Sequence, residues 1–187
     1  MNAATQPRMD KATFYHWVER QEARHELAGG RAIMMTGASN GHNKIVSNIF
    51  RHLSLQLERL HWSVFVADFA VEIGDQVRYP DVLVFPAMDD TKARHAEKPA
   101  LIIEVLSASS VYVDMNEKAA EYTSLPSLAA YVVFSQDAAL SWHWTRTQQG
   151  MPVRPTLLEG RDPIIEVPAL AATLPHAEVF FGLTLDG

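Results

Sequence analysis

Two carboxylates stand where carboxylates are costly, and a lysine follows them at a spacing that lets it join them. Glu104 interrupts "LIIEVL", between Leu101, Ile102, Ile103 and Val105, Leu106. An apolar run without polar alternation suits a central strand covered on both faces. Removing an ionised carboxylate from water costs on the order of several kcal/mol unless a cation or a set of donors compensates it. Asp81 follows Pro80 and opens a second apolar run, "VLVF", and Pro is tolerated at the first residue of a strand. If the two acids converge near the middle of a sheet, their repulsion in a low dielectric is relieved most simply by a divalent cation. Oxygen-only donors suit Mg²⁺ or Mn²⁺ rather than zinc. For Glu104 taken alone, an ion pair with Arg or Lys is the commoner explanation.

Strand residues two apart share a face, so Glu104 and Leu106 point the same way and Leu106 brings no charge. The stretch "DMNEKAAEYTSL" offers a lysine instead. Asp114, Lys118 and Tyr122 are spaced by four, along one helix face. From there Lys118 can reach back over the strand end toward Glu104; a solvated pair with Asp114 or Tyr122 is the plainer alternative.

These residues need elements to position them. Residues 1–12 read as a flexible tail and 13–187 as a single domain, since 187 residues make one full core and crowd a second. A short helix is expected near Thr13–Gln21, and a hairpin in "HELAGGRAIMM" turns at Gly29-Gly30, which accept positive φ. Ile45, Ile49, Leu53, Leu57 and Leu60 recur at helical spacing, with Ser39 or Asn40 able to cap the start. "WSVFVADFAVEI" and "VRYPDVLVFP" read as an antiparallel pair of strands joined at Gly74-Asp75-Gln76. After the strand at 100–107 come a Ser-rich loop, the lysine helix closed by Pro126, the strands "AAYVVFS" and "LSWHWTR", and a tail with a short strand and helix on the sheet edge. The order gives an α/β domain with a mixed central sheet flanked by helices.

Composition narrows the chemistry. The absence of cysteine removes thiolate metal sites and disulfides and fits a reducing, cytoplasmic location. No apolar run is long enough to cross a bilayer, and the N-terminus lacks a signal-peptide core, so no membrane association is expected. A net charge of −6 argues against binding a phosphate backbone by overall attraction. The one basic stretch, Lys92, Arg94, His95 and Lys98, lies in the loop between the two acid-bearing strands. It could touch phosphates, although such stretches are usually solvated. His61, His143 and His176 have no mutual spacing that suggests metal ligation, and Trp142 and Trp144 share a strand face suited to the core or a dimer contact.

"YPDVLVF", "PALIIEVLSASS" and "DMNEKAAEYTSLPSLAAYVVF", in that order and at short spacings, resemble the Uma-type family of "putative restriction endonucleases" within the PD-(D/E)XK nuclease superfamily. "HELAGGRAIMM" and His42 extend the likeness, while Arg31 and Ala108 depart from it. The resemblance implies a restriction-endonuclease-like fold, with Asp81 and Glu104 as metal ligands and Lys118 as a migrated active-site lysine. Glu26 could join the metal site by the same likeness; a surface pair with Arg24 or Arg31 competes with that. His42, near the apolar stripe of its helix, is a candidate base or a satisfied core or capping residue.

The expectation is a Mg²⁺- or Mn²⁺-dependent endonuclease acting on DNA. The metal is held by Asp81, Glu104 and the Val105 carbonyl, with Asp114 and Tyr122 holding Lys118, in a homodimer whose symmetry supplies two active sites. The competing expectation is a nuclease fold kept as a non-catalytic binding or assembly module with a relic or structural metal site.

Overall fold

The computed structural model describes residues 8–35, 37–106 and 112–185; the Ser-rich loop with Ala108, and residues 1–7 of the tail, lie outside the described residues. The chain runs α1 (Lys11–Val18), β1 (His25–Ala28), β2 (Arg31–Met34), α2 (Asn40–Gln56), β3 (Trp62–Val66), β4 (Ala70–Ile73), β5 (Gln76–Arg78), β6 (Val82–Pro86), β7 (His95–Ala96) and β8 (Leu101–Leu106). A turn of π-helix (Val113–Lys118) then runs into α3 (Ala119–Thr123). The remainder is β9 (Ala130–Ser135), β10 (Leu140–Thr145), β11 (Thr156–Glu159), β12 (Ile164–Val167), β13 (Ala172–Pro175) and α4 (His176–Val179).

The main sheet has the order β11-β10-β9-β8-β6-β3. Only β8 and β9 pair in parallel within it, and the crossover between them carries the π-turn and α3. A second sheet, β2-β1-β5-β4-β7, stands beside it, and β12 and β13 form a ribbon.

All six residues of β8 are buried, as a strand covered on both faces requires. Its alternation divides the core. Leu101, Ile103 and Val105 pack with Ile45, Ile49 and Leu53 of α2, with Leu57 just past its end, and with Ile165, Leu174 and Phe180 of the tail. Ile102 and Leu106 pack on the opposite face with Ala119, Tyr122, Tyr131 and Trp144. Glu104 shares the parity of that second set, so the pleat aims it at the helix that bears Lys118. Trp144 stacks on Tyr131 with centroids 5.3 Å apart, which makes it a core residue.

Several boundaries differ from the sequence expectation. Helix α1 begins at Lys11, two residues early, because Asp10 accepts from the Thr13 amide and caps it. Ser39 rather than Asn40 caps α2. Leu60 lies beyond α2 and is 82% exposed, so the apolar stripe ends at Leu57.

The larger correction concerns the two long strands. "WSVFVADFAVEI" breaks at Ala67 and Asp68, which take φ of 49° and 46°. "VRYPDVLVFP" breaks at Tyr79-Pro80-Asp81. The outer halves, β3 and β6, pair in the main sheet; the inner halves, β4 and β5, turn at Gly74 and pair in the second. Asp81 thus sits at a corner between sheets.

Candidate active site

Register brings the two acids together. Strands β6 and β8 are antiparallel with Val82 opposite Ile103, and one further step along that register sets Asp81 opposite Glu104. The corner at Pro80 ends the ladder there, and the Asp81 side chain turns to the backbone of β8: Val105 N–H donates to Oδ2 at 2.7 Å. The His42 Nε2, in the first turn of α2, lies 3.1 Å from the same oxygen. An ionised carboxylate only accepts, so that nitrogen carries the proton, and Nδ1 is then buried with no partner among the described residues.

Glu104 receives the other half of the constellation. Its Oε1 accepts from the Lys118 ammonium at 2.9 Å and from the Tyr122 hydroxyl at 3.1 Å. The crossover geometry explains this meeting, because the helix linking parallel β8 and β9 must pass over the β8 face that Glu104 presents. Lys118 also stands 3.2 Å from Glu26 Oε1 and 3.3 Å from Asp114 Oδ1. Its ammonium therefore faces three carboxylates at 7% residue exposure.

Burial pushes the Glu104 carboxyl well above its usual range. Lys118 opposes that shift, and Asp114, Asp81 and Glu26 add to it. For Lys118 burial works against the charge, and the coulombic pull of Glu104, Glu26 and Asp114 wins, leaving the ammonium more firmly protonated than usual. Burial likewise raises the Tyr122 phenol, so it serves as a neutral donor.

A cleft of about 540 Å³ opens over these groups. Asp81, Glu104, Val105, Lys118, Asp114, Glu26 and His42 all line it. Every residue singled out from sequence for the site except Tyr122 reaches the cleft, and Tyr122 supports it from below through Glu104. Two sequence alternatives fall away. Glu26 is 6% exposed and pairs with Arg78 and Lys118, not with Arg24 or Arg31 at the surface. Lys118 is not a solvated helix lysine.

The basic stretch belongs elsewhere: Arg94 pairs with Glu19 and His95 with Glu72, on the second sheet, and none of its residues lines the cleft. His61 pairs with Glu58 at the surface.

Sequence reasoning missed Arg78 and Glu121. Arg78 is 2% exposed and binds Glu26 and Glu121 together. In the sequence it reads as a polar strand end, and only its place two residues before Pro80-Asp81 could have drawn notice.

Residues 12–176 match the family Uma2, described as "Putative restriction endonuclease". The chain belongs to the Uma2 family. Two curated proteins of Synechocystis sp., both named as uncharacterised, are similar to it. One is 31% identical over 141 residues, covering 73% of this chain and 80% of that protein. The other is 28% identical over 132 residues, covering 69% and 70%. Among solved structures, the crystal structure of "a putative nuclease belonging to DUF820" from Anabaena variabilis matches with a TM-score of 0.68 at 16% identity, over 89% of this chain and 94% of that one.

The mixed sheets and flanking helices of this Uma2 chain are thus a restriction-endonuclease-like fold, and the family supports a nuclease function. No helix among the described residues is long and apolar enough to cross a membrane.

Two carboxylates lining one cleft are oxygen donors of the kind a hard cation takes. Each acid commits one oxygen to protein donors, Asp81 Oδ2 and Glu104 Oε1, and no protein donor meets the other oxygen among the described residues. The residues fit Mg²⁺ or Mn²⁺. No group of three or more His, Asp or Glu among the described residues is arranged as a metal cluster, so the protein would supply two side chains and the Val105 carbonyl.

Proposed function

We propose that this Uma2 protein is a Mg²⁺- or Mn²⁺-dependent endonuclease that hydrolyses phosphodiester bonds in DNA. The observation that supports it best is the convergence of Asp81, Glu104 and Lys118 in one cleft, with Lys118 on Glu104 at 2.9 Å and Asp81 on the backbone of Val105 at 2.7 Å.

In this reading Asp81, Glu104 and the Val105 carbonyl hold the cation. When bound, the cation lowers the pKa of a water and offsets charge on the scissile phosphate. Lys118 provides a permanent positive charge for the phosphoryl oxygens, where charge grows as the bond breaks. The Tyr122 hydroxyl keeps Glu104 turned toward the cleft, and His42 with the Val105 amide fixes Asp81 through one oxygen. The protein is taken to be cytoplasmic and to act as a homodimer, by analogy with two-strand cuts that commonly use two sites related by symmetry.

A second reading, a nuclease fold kept as a binding or assembly module, draws on the lack of a preformed three-ligand cluster among the described residues and on the acidic net charge of −6. One experiment separates them. Supercoiled plasmid and labelled single strands are incubated with Mg²⁺ or Mn²⁺ and either wild type or Glu104→Ala. Metal-dependent cutting by wild type alone supports the enzyme. No cutting by either supports the module, and equal cutting by both marks a contaminating nuclease.

A further inference from the structure

Arg78 is among the largest fully buried side chains of the protein, yet it touches neither acid assigned to the cation. Its Nε and Nη2 donate to the two carboxylate oxygens of Glu121 at 2.7 and 2.8 Å, the fork geometry that only Arg provides. Its Nη1 donates to Glu26 Oε2 at 3.1 Å. The other oxygen of Glu26 accepts from the Tyr79 amide at 3.1 Å and stands 3.2 Å from the Lys118 ammonium.

Each of these partners sits on a different element. Arg78 closes β5, Glu26 is on β1, and Glu121 is on α3, one residue before Tyr122 and three after Lys118. One guanidinium therefore ties the second sheet to the helix that delivers both donors to Glu104. The tie also divides charge. Glu26 gives one oxygen to Arg78, so its hold on Lys118 is shared and the ammonium stays within reach of Glu104.

We propose that Arg78 is a positioning residue for Lys118, acting through Glu26 and through the forked pair with Glu121. The proposal rests on the nuclease reading for its kinetic consequence and on geometry alone for its structural one. Lysine carries a long flexible stem, and a charge on such a stem serves a reaction only when neighbours restrict it. Without Arg78, Glu26 is left with Lys118 as its one cation among the described residues, and α3 loses its anchor to β5. The ammonium then drifts from Glu104 toward Glu26.

The test uses the full chain with Arg78→Lys, which keeps the charge and removes the fork, and Glu121→Gln, which weakens the fork and spares Arg78. The first readout needs no activity: reductive methylation of lysines, read by peptide mass spectrometry, beside hydrogen exchange of the β8 amides. Lys118 is expected to be protected in wild type and labelled at least several-fold faster in both variants, with β8 exchange unchanged. The second readout is cleavage of supercoiled plasmid with Mn²⁺. The expected loss in kcat is about 10- to 100-fold, the range for residues that orient a functional group, with KM held. Placed in a Lys118→Ala background, Arg78→Lys is expected to add nothing, because its effect passes through Lys118.

Equal labelling of Lys118 in wild type and both variants overturns the proposal, and so does a kinetic penalty that adds in full to that of Lys118→Ala. If Arg78→Lys unfolds the chain, Glu121→Gln carries the same measurements. A wild type that does not cleave overturns the nuclease reading alone, and the labelling still decides whether Arg78 positions the lysine.

Discussion

Two buried polar clusters lie on opposite sides of the main sheet, and they are built on different terms. On the side of the tail, the Ser141 hydroxyl meets His176 Nε2 at 2.7 Å, and His176 Nδ1 donates to the Gly160 carbonyl at 2.6 Å. Both side chains are fully buried, the Phe134 and Phe180 rings meet the imidazole edge-on, and neither residue lines the cleft. Every polar atom has a partner, and no formal charge is needed. On the other side, Glu26, Glu104 and Asp114 crowd one ammonium, and Asp81 and Glu104 line the cleft beside it. A serine hydroxyl on a buried imidazole is a pairing that catalysis also uses, and here it is architecture. Surplus charge of one sign at an open cleft, not buried polarity as such, separates the site from the scaffold.

The sharpest break in this comparison comes from exchanging the roles. Lys118→Ala should lower cleavage on the order of 10²- to 10³-fold, the cost of removing one preorganised donor to developing charge, while leaving Mn²⁺ binding intact. Asp81→Ala should abolish both, because the ligand and the reaction depend on it. Steady-state cleavage and Mn²⁺-dependent melting check the pair. Retained cleavage in Lys118→Ala removes the lysine from the mechanism.

His176→Ala should do the reverse. It should cost about 1 to 3 kcal/mol of stability, since Ser141 and the Gly160 carbonyl lose a buried partner, with cleavage per folded molecule unchanged. Urea unfolding beside a plasmid assay reads both.

A smaller effect follows from pH. Burial lowers the His176 pKa, opposed in part by its bond to Gly160, and burial also lowers that of His143. A base held neutral in the fold binds fewer protons than in the unfolded chain. Its stabilising share is therefore complete above about pH 6.5 and shrinks as pH falls from there toward the lowered folded value. Glu104, raised by burial, works in the opposite direction: its share falls as pH rises above the usual carboxylate range. The difference between urea midpoints of wild type and His176→Asn isolates the histidine; it should narrow from pH 7.5 to 5.5, and a flat difference breaks the assignment.

The contrast also explains what could be read in advance. Glu104 was legible because five apolar neighbours made one acid conspicuous, and Asp114, Lys118 and Tyr122 because a spacing of four survives even where the first turn is π rather than α. Asp81 was legible from its proline. The split of two apparent strands into four was not, since Ala67 and Asp68 take left-handed φ without the glycine that usually announces it. Nor was Arg78, whose partners lie 52 and 43 residues away in the chain. Local pattern identifies residues that conflict with their neighbours, whereas long-range ion pairs appear only once the sheets are assembled. Glu26 shows the boundary: beside Leu27 it could be surface or site, and only the Arg78 contact decides it.

The smallest expected change bears on the central claim that Glu104 is buried for a cation rather than for packing. Glu104→Gln keeps the shape and removes one of the crowded charges, so the metal-free variant should be as stable as wild type or slightly more so. A ligand that binds only the folded state raises its stability by RT ln(1 + [L]/Kd). Melting of the two proteins with and without Mn²⁺ is the direct test. The expected result is a Mn²⁺-dependent rise for wild type, little or none for Glu104→Gln, and near-equal melting without metal. A variant that loses several kcal/mol without metal, beside a wild type indifferent to Mn²⁺, would make Glu104 the structural partner of Lys118 and contradict the metal site.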